Sequence, residues 1–177
     1  MHQIFKPMAV ALGAASIVLA TAGVALAGPS NGPFTSTGSG TETSLSQAGC
    51  QFTSAGCTVQ SNGIATSLHL GSGPYVSTLT VYWATTAYSN GAGGYCALAA
   101  GAGVLTAANG DTLTQSESGT VCEVGKTSDI VPHTFTGIFT NMGGTGRFAD
   151  ASGGGTITGS DDGFGNSNYQ ENGTISY

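Results

Sequence analysis

From Pro33 onward, β-branched and aromatic residues alternate with small polar ones between clusters of Gly, Asn and Asp. A period of two predicts half-buried strands, and beyond the first 27 residues no segment sustains the 3.6-residue apolar period of a helix. Segments 34–46, 57–70, 75–87, 95–107, 111–125, 131–142, 147–159 and 167–177 read as strands. Turn signals at Gly71-Ser72-Gly73-Pro74, Asn90 to Gly94, Asn109-Gly110, Gly143-Gly144 and Asp161 to Asn166 separate most of them. The clearest strand is Tyr75 to Ala87, with Tyr75, Leu79, Val81 and Trp83 on one face and Thr78, Thr80, Tyr82 and Thr86 on the other. The pattern predicts an all-β fold, an eight-stranded antiparallel β-barrel with a β-sandwich as the alternative, since both protect the sheet edges.

One stretch departs from alternation. Met8 to Val24 is an apolar stretch interrupted only by Ser16 and Thr21; it follows Lys6 and ends at Ala25-Leu26-Ala27, a small-x-small cleavage signature. Residues 1–27 therefore read as a signal peptide, and the protein as secreted. A spanning helix is the competing reading of an apolar run this long, but no basic stop-transfer cluster follows, and no Cys stands at the cut to take a lipid anchor. The rest divides into an N-terminal extension, 28–57, with a first strand and a short disulfide loop, and a barrel domain, 58–177.

Export changes the meaning of Cys50, Cys57, Cys96 and Cys122, which become disulfide candidates rather than metal ligands. A two-residue turn at Asn109-Gly110 pairs Ala108 with Asp111. Counted outward from that pair, Cys96 and Cys122 fall out of register by one residue. A one-residue bulge at Gly101-Ala102-Gly103 brings them opposite. The expected bridges are Cys96–Cys122 across the hairpin and Cys50–Cys57 around a local loop; zinc would need closer CxxC-type spacing.

Charge removes several partners. All nine acidic residues lie beyond position 27, where Lys126 and Arg147 are the strong bases. Nucleic acid and anionic membrane surfaces need clustered Lys and Arg, so neither is expected. An outer-membrane barrel is suggested by the alternation of Tyr169, Gly173, Ile175 and Tyr177, but such barrels need an apolar outer band, and most strands here offer Thr, Ser and Gly.

Candidate chemistry is sparse. Gly143-Gly-Thr-Gly-Arg147 resembles an anion nest but lacks the helix of a phosphate loop, so a tight corner locked by Arg147 and Phe148 is the simpler reading. His69 and His133 could serve as general bases beside Glu117 or Asp150, yet no Gly-x-Ser-x-Gly or His-Glu-x-x-His motif supports catalysis. The run Asp161-Asp162-Gly-Phe-Gly-Asn166-Ser-Asn168 has calcium-type oxygens without EF-hand spacing. No metal or cofactor is expected. Thr-x-Thr triplets begin at Thr78, Thr112, Thr134 and Thr156, too irregularly for a solenoid that would present hydroxyls to ice or polysaccharide. A small barrel has room for at most one small ligand, and Tyr75, Leu79, Val81 and Trp83 are the residues expected to line such a site or simply to fill the core.

The segments Thr106-Ala-Ala-Asn-Gly-Asp-Thr-Leu113, Phe135-Thr-Gly-Ile-Phe139, Gly143-Gly-Thr-Gly-Arg-Phe-Ala149 and Gly153-Gly-Gly-Thr-Ile-Thr158 together resemble the allene oxide cyclase and dirigent barrel-like superfamily. The resemblance spans roughly residues 58–177 and implies an eight-stranded barrel. It also implies, as an alternative to a non-catalytic binding or surface module for a small apolar ligand, an isomerase or cyclase. None of the family's catalytic residues matches a position in this chain, so no active site is carried over.

Overall fold

The computed structural model describes residues 31–44, 56–124 and 131–177. The proposed signal peptide, Cys50 and its loop lie outside them. The strands are β1 (Asn31–Ser44), β2 (Cys57–Ser67), β3 (Gly71–Val81), β4 (Tyr88–Ser89), β5 (Tyr95–Thr106), β6 (Thr112–Glu123), β7 (His133–Gly144), β8 (Ser152–Asp161) and β9 (Asn166–Ser176). A single helical turn, α1 (Trp83–Thr86), follows β3, and a 3-10 turn (Gly146–Phe148) follows β7.

All pairings are antiparallel. They run β3-β2-β1-β9-β8-β7-β6-β5, and β3 pairs again with β5, so eight staves close a barrel with no free edge in its wall. The two-residue β4 adds onto β5 outside that circuit. Because β1 pairs along its length with β2 and β9, it is a full stave. Asn31–Ser44, placed by the sequence in the N-terminal extension, is therefore part of the barrel wall.

Inward positions follow the two-residue period: Phe34 and Ser36 on β1, Leu113, Gln115 and Glu117 on β6, and Glu171 and Ile175 on β9 are buried. Phe34, Leu70, Leu113, Phe139, Phe148 and Ile175 pack one end solid. Cys57, Val81, Trp83, Ala97, Ala99 and Val121 form a smaller cluster at the other.

Cys96 and Cys122 are direct cross-strand partners and form a disulfide, S–S 2.05 Å. Cys57 is also disulfide-bonded; its expected partner Cys50 falls among the undescribed residues. The extra residue of the hairpin is not in the strand, because β5 and β6 pair without interruption from Cys96↔Cys122 to Thr106↔Thr112. It lies in the turn, where the Ala107 N–H donates to Asp111 O at 2.7 Å and Gly110 takes φ +90°. This is a three-residue loop closed by a left-handed glycine. Gly101 instead makes room for the neighbouring stave, since a Cβ there would stand 2.1 Å from Thr78 O. Gly110→Ala should cost about 1–2 kcal/mol from the left-handed backbone alone, read as a lower denaturation midpoint with an unchanged slope.

Strand β3 ends at Val81, short of the expected 87. The Tyr82 N–H still reaches Leu98 O, but the Thr86 hydroxyl bonds back to Tyr82 O at 2.7 Å and accepts from the Leu98 N–H at 2.9 Å. These bonds wind Trp83–Thr86 into a turn at the barrel end. The stave expected over 147–159 likewise begins only at Ser152, because Gly146–Phe148 are coiled at the opposite end.

Candidate functional site

Between the two apolar ends, the barrel holds a cavity of about 250 Å³. Tyr75, Leu79 and Val81 from β3 line it along the stave, and Trp83 reaches it from α1. All four sequence-selected residues are thus on one wall, although Trp83 arrives by a helical turn rather than by alternation. Phe135 and Tyr169 face the same space from β7 and β9. The Tyr75 and Tyr169 rings meet edge to face at 4.9 Å, a favoured aromatic geometry.

Polar groups also project inward. Glu117 on β6 is buried and accepts from the Ser77 hydroxyl at 3.2 and 3.3 Å. Burial pushes its carboxyl above the usual range, and the Ser77 bond only partly offsets this. Glu171 on β9 is 1% exposed and its Oε2 has no hydrogen-bond partner among the described residues. Burial first, then the nearby Glu117, push it up to about 8, against hydrogen bonds from Gln115 and Ser36. It is therefore mostly a neutral acid at pH 7. Beside it Gln115, its amide bonded to Asn141 Oδ1 at 3.1 Å, leaves its own Oε1 without a partner among the described residues.

Toward the Trp83 end the cavity meets Glu42, Asp161 and His133. His133 Nδ1 lies 3.0 Å from Asp161 Oδ2, and its ring centre is 6.1 Å from that of Trp83. Burial alone would lower the imidazole, but the Asp161 bond and charge, with Glu123 and Glu42 beyond, leave it above its ordinary value. Glu42 is raised by burial and by Asp161, against a bond from Ser61 at 3.1 Å.

Other candidates sit elsewhere. His69 is on the outer side of the packed end: since Pro33 O can only accept, Nε2 donates to it at 2.8 Å, and Nδ1 is hydrogen-bonded with the Tyr177 hydroxyl at 3.2 Å. Asp150 is exposed beyond the 3-10 turn. At the Gly143–Arg147 corner, Asp111 Oδ2 takes the Arg147 N–H at 3.2 Å, while the guanidinium reaches His69 O and covers the Phe148 ring at 4.8 Å. The anion position of that nest is thus filled by the chain's own carboxylate.

In the 161–168 loop, Asp161 Oδ1 accepts from the Gly163 N–H, and Asp162 accepts from the backbone of Phe164 and Asn166 and the Asn166 side chain. These bonds hold Asp162 below the usual carboxylate range. The Thr triplets lie on four different staves, with Thr136 opposite both Thr120 and Thr158. Two of them spend hydroxyls on other threonines, Thr80 on Thr58 across the wall and Thr112 on Thr145 at the corner after β7, each at 3.0 Å.

The lumenal acids escape a reading of strand patterns, although their parity carries the signal. Gln115 and Glu117 share the inward register of Leu113 and Val121, and Glu171 shares that of Tyr169 and Ile175. Comparison of the chain with protein-family models, with curated proteins and with solved structures gives no match.

Proposed function

We propose that this chain is an exported, non-catalytic barrel that holds one small, largely apolar molecule in its lumen. The cavity walled by Tyr75, Leu79, Val81, Trp83, Phe135 and Tyr169 carries the proposal. Its volume lies just under the roughly 300–1,000 Å³ of drug-sized pockets, and it combines apolar walls with a few placed polar groups. A ring of about the size of benzene with one polar substituent suits it better than a lipid chain. The outward positions of β8 and β9, Thr156, Thr158, Asn168, Gln170, Asn172 and Thr174, are exposed and polar, which supports a water-facing wall rather than the apolar band of a membrane barrel. The disulfides and the leader-like N-terminus support export.

Trp83 supplies the test. Native mass spectrometry of freshly secreted protein should retain a bound small molecule. Benzyl alcohol added to the emptied protein should change Trp83 fluorescence saturably. No retained mass and no saturable change would refute the reading.

A second reading, an isomerase or cyclase, is favoured by one observation: Glu171 is an acid held protonated near neutrality against the cavity, a state suited to general-acid work. Chemical change in the retained molecule after incubation would select it over simple binding.

A further inference from the structure

The lumen is lopsided in charge. Carboxyl groups enter it from four staves: Glu42 of β1, Glu117 of β6, Asp161 of β8 and Glu171 of β9. Among the described residues, the other titratable groups facing it are His133 of β7, Tyr75 of β3 and Tyr169 of β9. His133 is already committed to Asp161 at 3.0 Å. Among the described residues Arg147 is the strong base, and it is spent at the far outer corner on His69 O. Among those residues, no side-chain cation therefore balances Glu117 and Glu171.

Acidic side chains grouped in this way do not by themselves make a site. The independent observation is the unpaired oxygen of Glu171. A side chain 1% exposed, lining an open cavity, with Oε2 unpartnered among the described residues, is a buried acceptor open to a partner from outside those residues or to a bound proton. Rings line the same cavity: Tyr75 and Tyr169 cross at 4.9 Å, and Phe135 and Trp83 share the wall. A carboxylate in a cavity with aromatic walls suits an organic ammonium, which gains a charge-assisted hydrogen bond from the one and ring-quadrupole attraction from the others.

We infer that the molecule held in the lumen is a small primary amine, its ammonium donating to Glu171 Oε2 near Glu117 and its apolar body lying against Leu79, Val81 and Trp83. This rests on the lumen-binding reading above and names the chemistry of its ligand. In the empty barrel a proton occupies the acid that the ammonium would engage. Amine binding should then expel a proton, and binding should strengthen as pH rises from 6 to 8, while the amine stays charged. Glu42, Glu117, Asp161 and His133, facing the same space, contribute to the size of that exchange.

Three probes of similar shape separate the possibilities by calorimetry: benzylamine, benzyl alcohol and benzoate. Benzylamine should bind at least about tenfold more tightly than benzyl alcohol, as expected of one charge-assisted bond, with proton release visible as a dependence of the heat on buffer. Benzoate should not bind. Glu171→Gln should bring the amine and the alcohol to parity, and Glu117→Gln should weaken the amine in the same direction. If the alcohol binds as well as the amine, or if both variants keep the amine's full advantage, the ammonium assignment is overturned while the lumen remains a binding site. If no probe binds, the lumen-binding reading fails and the assignment with it.

Discussion

Glu171→Gln should remove most of the loss of stability that the wild-type protein suffers between pH 4.5 and 8. The folded chain holds the Glu171 proton up to about pH 8, whereas the unfolded chain releases it near the ordinary value of 4.5. Between those values the native state binds more protons than the unfolded state, so stability falls as pH rises. At about 1.36 kcal/mol per pH unit the full effect is on the order of 4–5 kcal/mol, complete above pH 8 and absent below 4.5. Glu117 and Glu42, both raised, act in the same direction. His133 does too, because a raised imidazole stabilises the fold at low pH and loses that contribution as pH passes its folded value. Urea midpoints from pH 4.5 to 9 should therefore fall steadily in the wild type. In the variant they should fall much less, and the two proteins should converge at the acidic end. A wild-type stability that rises across this range would contradict the placement of these acids.

The double variant Cys96→Ser/Cys122→Ser should lose about 3–4 kcal/mol, the chain-entropy cost of opening a loop of this span, the cysteines being 26 residues apart. Substitution is cleaner than reductant here, because Cys57 is bonded as well. The bridge ties β5 to β6 where both strands end, beside the Trp83 cluster and the junction with β4. Its loss should loosen that end of the barrel first. Hydrogen exchange should accelerate at Cys96–Leu98 and Thr120–Cys122 before it does at Leu105 and Leu113, next to the turn. A loss under about 1 kcal/mol, well below the usual range for such a bridge, would mean that the wall holds the mouth without it.

The barrel is legible in the sequence because its instructions are local. Alternation sets which residues face inward, and Asn109-Gly110 announces a hairpin through residues that tolerate a left-handed backbone. Counting from that turn locates the Cys96–Cys122 bridge, but a count reveals an extra residue without showing where it is absorbed. Gly110 absorbs it in the turn, while Gly101 is small because Thr78 O presses against it. The end of β3 is illegible for a different reason. Tyr82 to Thr86 continue a respectable strand pattern, and what stops the strand is Thr86 bonding both Tyr82 O and Leu98 N–H, a contact between segments.

The site divides along the same line. Tyr75, Leu79, Val81 and Trp83 can be named from one face of one segment. Glu117 stands out in the sequence only as a neighbour for histidine, and Glu171 not at all, because a polar residue in an inward register reads as a flaw in alternation. Closing the sheet makes such positions converge, and only then do isolated acids become a lumen lined with carboxyl groups.

The central claim is that the lumen is a ligand site, and a titration of isotope-labelled protein with benzyl alcohol, followed by NMR, tests it directly. Saturable shifts should be confined to Tyr75, Leu79, Val81, Trp83, Phe135 and Tyr169, and Leu79→Trp, which fills the cavity, should abolish them. Shifts that do not saturate, or that map to the outer threonines and survive Leu79→Trp, would contradict it.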